Sequence, residues 1–263
     1  MSRAMKTVAG FVTAAGAGTN AVAVCPGSVG TFTIDSFTNG NAYLEDLWAS
    51  GAAFDFLRVR SGRLHDANQG IRLQVGTTFR RPLLSRGNGG LLYSVDNLTV
   101  EADATGAGTQ LVALTYGFDD LGGTGQRIAD WASIQPRIQA IMGQQVSVTS
   151  SATIGTYGAG VALNATFDNW KAGRDYALLG YTVSAGCGVI CLNGPDTSGQ
   201  DIGFPGDPDP FDTRDYFIER SVESGKATIP ILAANNKGST ILKNADTAAS
   251  TAVVVTLNLA LLA

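Results

Sequence analysis

The residues with the most capacity for chemistry are four aspartates, Asp207, Asp209, Asp212 and Asp215, set among small or cyclic residues in the run GDPDPFDTRD. Carboxylates on a constrained loop can hold Ca²⁺, and two carboxylates about 5 to 9.5 Å apart across a groove can cleave a glycoside. The run lacks the glycine and the bidentate glutamate of an EF-hand loop, so it is read as a solvated or partner-facing loop. The single histidine, His65 in RSGRLHDANQG, cannot make a two-histidine metal site, and no nucleophile-elbow motif supplies it with a serine. Cys187 and Cys191 are four apart; on one strand they share a face roughly 13 Å apart, too far to bridge. With Cys25 they are read as free core thiols. No phosphate loop, dinucleotide fingerprint or CxxC pair occurs in the sequence. Catalytic, cofactor and metal residues are therefore left unassigned, no cofactor is expected, and the chain is expected not to be an enzyme.

Charge is more informative than any motif. From Arg58 to Arg86 the chain carries seven arginines (Arg58, Arg60, Arg63, Arg72, Arg80, Arg81, Arg86) against one acid, Asp66. From Asp196 to Glu219 it carries seven acids (Asp196, Asp201, Asp207, Asp209, Asp212, Asp215, Glu219) against one base, Arg214. Segregation of this kind suits a contact between copies, in which Arg58, Arg60, Arg63, Arg80 and Arg81 of one meet Asp207, Asp209, Asp212 and Asp215 of the next.

The elements that must position these residues read as strands. Of 263 residues, 44% are hydrophobic and only 15% charged, with a net charge of −4 and 33 glycines. That composition describes a compact β-rich chain and excludes a disordered protein or a dedicated nucleic-acid binder. No apolar run reaches the length of a membrane-spanning helix. Strands are expected around 21–25, 31–36, 42–47, 54–60, 71–75, 79–84, 91–101 and 110–118, with 44–48 readable instead as one helical turn. Eight short strands in about a hundred residues indicate a sandwich or jelly roll. In GQRIADWASIQPRIQAIMG, the spacing of Ile128, Trp131, Ile134, Ile138 and Met142 predicts a helix, divided or kinked at Pro136.

The chain also looks duplicated. VAVCPGSVGTF from Val22 pairs with VSVTSSATIGTY from Val146 at an offset of 124, and Trp48 pairs with Trp170 at 122. Pro82 pairs with Pro230 at 148, which implies 26 extra residues in the second copy. In the last strands Val112, Leu114, Tyr116 and Phe118 fall on Val253, Val255, Leu257 and Leu259 at an offset of 141. The expected organisation is an N-terminal arm over 1–20, a first unit over 21–122, a helical connector over 123–143, and a second unit over 144–263 with a long loop at 193–226. The arm is Ala/Gly-rich and superficially resembles a signal peptide, but it is read as a segment that orders against something else because Met1 is retained.

Two tandem eight-stranded units with an Ala/Gly-rich arm and no catalytic constellation resemble the double jelly-roll major capsid proteins of icosahedral viruses, especially the small ones of tailless internal-membrane bacteriophages. The resemblance implies an all-β fold of two jelly rolls joined by a helical connector. It also implies self-assembly as pseudo-hexagonal trimers into an icosahedral shell. The expected partners are other copies, neighbouring capsomers and other virion proteins, with residues 1–20 directed toward an internal membrane or genome and no small-molecule substrate. The expected location is the virion, after synthesis in the host cytoplasm. The alternative is a tandem carbohydrate- or receptor-binding sandwich, as in a viral decoration or fibre protein; it needs exposed aromatics on one sheet face, whereas Trp48 and Trp170 read as core.

Overall fold

The computed structural model describes residues 2–17, 21–22, 32–33, 42–51, 54–60, 71–74, 91–92, 97–120, 125–206 and 213–263. The chain is all-β, and its described strand pairs are antiparallel. In the first half the strands are β1 (Ser2–Ala14), β2 (Ala21–Val22), β3 (Phe32–Thr33), β4 (Ala42–Gly51) and β5 (Phe54–Arg60). They are followed by β6 (Ile71–Gln74), β7 (Leu91–Leu92), β8 (Asn97–Ala104) and β9 (Gly108–Asp120). One sheet runs β1-β9-β4-β7; the other runs β2-β8-β5-β6, with β3 also on β8.

The second half opens with β10 (Ile128–Ala129) and the helical turn α1 (Trp131–Ile134), then β11 (Ile138–Thr149), β12 (Val161–Ala162) and β13 (Asp175–Val183). It continues through β14 (Val189–Asn193), β15 (Ile202–Pro205), α2 (Tyr216–Ser224), β16 (Ile229–Ala233), β17 (Ile241–Ala245) and β18 (Ala252–Leu262). Its sheets run β10-β16-β13-β18-β11 and β12-β17-β14-β15.

The strand order is the same in both halves. β1, β9, β4 and β7 correspond to β11, β18, β13 and β16, and β2, β8, β5 and β6 correspond to β12, β17, β14 and β15. Register ties the halves together residue by residue. Leu114 lies between Val8 and Leu47, and Val255 lies between Val146 and Val183. These matches give offsets of 138 (Val8 to Val146), 136 (Leu47 to Val183) and 141 (Leu114 to Val255). Each half also carries one β-bulge in the corresponding strand, between Leu44 and Asp46 on β4 and between Leu178 and Gly180 on β13.

This register corrects the sequence alignment in its front half. Val146 corresponds to Val8 on β1, whereas Val22 lies on β2, the counterpart of β12. The apparent jump from 122 to 148, and the 26 extra residues, came from sliding that half by about one strand. The pairing of the last strands at 141 keeps both the strand and its faces.

Three expected boundaries also change. Residues 1–20 are not a separate arm, because Ser2 to Ala14 pair with Asp120 to Gly108 along the whole of β1. Small side chains allow it: Ala4, Ala9 and Ala14 are buried where a larger residue would hold the layers apart. The helical connector shrinks to α1 and a 3-10 turn at Gln135–Arg137. Asp130 caps α1 by accepting from Ser133 N–H at 2.9 Å, and the proline ring at 136 suits the start of the 3-10 turn rather than a helix interior. From Ile138 the chain is strand, and Gln144, Val146 and Val148 alternate inward at period two. Finally, much of 193–226 is ordered structure: a 3-10 turn at Pro195–Thr197, β15, a second 3-10 turn at Thr213–Asp215, and α2.

The shorter expectations fare unevenly. The segment 44–48 is bulged strand, not helix, and 91–101 divides into β7 and the start of β8. The strand expected at 79–84 lies outside the described residues. The second core gathers Val146, Leu178, Tyr181, Phe204, Phe217, Val255 and Leu257, and Met5 of β1 reaches into it.

Candidate functional site

Of the residues expected to join copies, Arg58 and Arg60 lie on β5, where Arg58 is in register with Arg72 on one side and Glu101 on the other. Arg63, Arg80, Arg81, Asp207, Asp209 and Asp212 lie outside the described residues, as do His65 and Cys25. Asp215 is exposed at the N-cap position of α2, with no side-chain capping bond. Among the described residues no group of three metal-ligating side chains comes together.

Two members of the acidic run are engaged inside the second half. Asp196 is buried and accepts from Arg127 Nη1 at 3.3 Å, Asn236 Nδ2 at 3.0 Å and the Ala233 N–H at 2.9 Å. Arg127 also binds Asp175 at 2.6 Å, and hydrogen bonding to Asp175 leads the effects that raise its pKa. Asp201 pairs with Lys243 at 2.8 Å and accepts from Asn193 Nδ2 at 2.7 Å. The acidic run is therefore not one outward-facing patch.

A set of buried polar contacts lies at the seam between the halves. The β4 sequence AYLEDLWASG places Glu45 and Asp46 within an apolar strand, and the bulge there presents both to the second half. Tyr216 O–H donates to Asp46 Oδ2 at 2.5 Å, and Arg220 Nη1 donates to Tyr216 Oη at 3.3 Å and lies 3.8 Å from Asp46 Oδ2. Lys226 Nζ reaches Glu45 at 3.4 Å. Burial pushes the Asp46 carboxyl up, against the opposing pull of Arg220 and of its hydrogen bonds, and burial likewise holds the Tyr216 phenol well above its ordinary value. Helix α2 thus clamps the first half through its inward face.

The rest of the seam joins the outer face of the β1-β9-β4 sheet to the β14-β15 region. Ala9, Trp48, Leu111 and Ala113 form one apolar cluster with Val189, Cys191 and Ala245. Trp48 Nε1 donates to the Gly188 carbonyl at 3.4 Å. Thr7 N–H donates to Asp201 O at 2.7 Å, and Thr7 Oγ1 accepts from Gly203 N–H at 2.7 Å and pairs with Thr115 Oγ1 at 2.7 Å. A side chain at Gly203 would bring its Cβ within 2.6 Å of Thr7 Cγ2, so only glycine allows this approach. Gln126 brackets the strand by accepting from Met5 N–H at 2.5 Å and donating to Met5 O at 2.8 Å.

These contacts correct two readings of single residues. Trp48 is a seam residue, whereas Trp170 stacks edge-on against Tyr176 in the second core, so the two are not equivalent. Cys187 belongs to the second core and Cys191 to the seam, so they do not share a face; both are buried and neither forms a disulfide. Burial pushes the Cys191 thiol far up, which keeps it protonated and unreactive. One sequence signal pointed to the seam: two adjacent acids inside an apolar strand need buried partners.

No protein-family model matches the chain, and no curated protein matches it in sequence. Among solved structures the chain resembles the major capsid protein of bacteriophage PM2, at 12% identity and a TM-score of 0.24, covering 97% of this chain and 98% of that one. It resembles the major capsid protein of the Sulfolobus Turreted Icosahedral Virus at 10% identity and a TM-score of 0.22, covering 100% and 97%. It also resembles the PBSX exported protein XepA at 10% identity and a TM-score of 0.23, covering 96% and 86%. No residue or role is carried across from these likenesses.

Proposed function

We propose that the chain is a double jelly-roll capsid protein whose activity is assembly, not turnover, and whose unit of assembly is a trimer of six jelly-roll wedges. The observation that carries this reading is the repeated strand order. Two four-strand paths, β1-β9-β4-β7 and β2-β8-β5-β6, recur as β11-β18-β13-β16 and β12-β17-β14-β15. Paired antiparallel sheets of this order are the wiring of a jelly roll. Fusing two such wedges gives three chains six near-equivalent positions in a closed ring.

The seam supports the same reading. A buried network of Asp46, Tyr216 and Arg220, with the apolar cluster around Trp48, fixes the angle between the wedges. A closed ring needs such a fixed angle, because free rotation between wedges would give open or irregular assemblies. The virion is the proposed location, and other copies and virion proteins are the proposed partners.

The test is the mass of the purified chain in solution across micromolar concentrations. A species of three times 27.2 kDa that builds larger closed shells is the expected result. A monomer that binds glycans and never associates would favour the carbohydrate-binding alternative.

A further inference from the structure

The clamp between the halves holds one ion pair that is too long to be a direct bond and two polar atoms that nothing meets. Asp46 on β4 and Arg220 on α2 lie on opposite sides of the seam, with side chains 0% and 5% exposed. Arg220 Nη1 and Asp46 Oδ2 are 3.8 Å apart. A direct bond between a guanidinium and a carboxylate measures about 2.7–2.9 Å, so the two groups face each other across a gap. Both of those atoms are occupied by Tyr216, whose hydroxyl donates to Asp46 Oδ2 and accepts from Arg220 Nη1. The other atom of each group, Asp46 Oδ1 and Arg220 Nη2, is buried and has no hydrogen-bond partner among the described residues.

These two atoms are complementary. A carboxylate oxygen only accepts and a guanidinium nitrogen only donates. Both have given up their hydration on burial, and a buried charged group left without its hydrogen bonds is costly to the fold. The surroundings are closed as well: Leu47 beside Asp46 is buried, as are Tyr181 and Tyr216, whose rings meet edge-on at 5.6 Å. Whatever satisfies the two atoms must therefore lie within the seam.

Chemistry narrows the choice. A cation would satisfy Asp46 but stand against the Arg220 guanidinium, and an anion would satisfy Arg220 but stand against the carboxylate. Among the described residues no group of three metal-ligating side chains comes together to hold an ion. Water both donates and accepts, and a polar contact longer than about 3.5 Å is where a bridging water belongs.

We infer that a single water molecule buried in the seam bridges the two halves, accepting from Arg220 Nη2 and donating to Asp46 Oδ1. With it, both oxygens of Asp46 are bonded, one by Tyr216 and the other through water by Arg220. The clamp is then three side chains and one solvent molecule. The inference concerns the folded chain itself and goes beyond the assembly reading without depending on it.

A high-resolution crystal structure of the full wild-type chain reads the site directly. The expected result is one solvent peak about 2.7–3.2 Å from both Asp46 Oδ1 and Arg220 Nη2. No peak, a direct bond between those two atoms, or a peak with the coordination of a metal ion overturns the inference. Oxygen-17 relaxation dispersion of water gives a second reading in solution, because it counts long-lived buried waters. The comparison is with the triple variant Asp46→Leu/Tyr216→Phe/Arg220→Met, in which apolar side chains of similar size replace the whole polar set and the fold is checked by circular dichroism. The folded variant should lose one long-lived water relative to wild type, and an equal count overturns the inference. If the variant does not fold, the wild-type crystal map decides alone.

Discussion

Asp46 is the residue on which the seam turns. Its carboxylate is buried against Tyr216 and Arg220, and removing one member of a buried charged set leaves the other without compensation. Asp46→Ala is expected to cost about 3–5 kcal/mol of stability, measured by denaturant unfolding. The pH dependence follows from the sign of the shift. Burial raises the folded-state pKa above the ordinary 3.8, so the native state holds its proton to higher pH than the unfolded state. Wild type should therefore lose stability relative to Asp46→Asn as pH rises above 3.8, through the raised value, and regain it as pH falls back toward 3.8. A difference that does not change with pH would show that Asp46 is not held in this environment.

At the scale of elements, β1 shows most clearly what could and could not be read from the sequence. Its Ala- and Gly-rich run looks too weak to form structure alone, yet it pairs with β9 along its full length and sends Met5 into the second core. The partners that order it lie between 94 residues away, for Ala14 with Gly108, and 196, for Thr7 with Gly203, so no local pattern reveals them. Deleting residues 2–14 is expected to leave an aggregating chain lacking the native unfolding transition. A soluble, cooperatively folded truncation would restore the arm reading. Ile138 and Met142 misled for a related reason: their spacing fits a helix as well as it fits the start of an edge strand, and the deciding alternation of Gln144, Val146 and Val148 begins only later. The last strands were legible because Val253, Val255 and Leu257 alternate cleanly with outward residues.

Across the whole molecule, duplication was visible in the sequence but misregistered in its front half, where short strands and small residues offer few anchors. The sheet order restores a nearly constant offset and makes the halves comparable position by position. Divergence then becomes interpretable: one sheet face is buried in the seam, whereas Gln145, Ser147, Thr182, Ser184 and Val254 at the corresponding positions are exposed. Most residues of the expected Arg-to-Asp contact between copies, Arg63, Arg80, Arg81, Asp207, Asp209 and Asp212, lie outside the described residues, while Asp196 and Asp201 of the wider acidic run are engaged within the chain. The most direct test of two wedges per chain in a closed ring is a cryo-electron microscopy map of the purified assembly. Six similar wedges around a threefold axis, two from each chain, are the expected result. A monomer, or an open filament, would contradict the closed-ring reading.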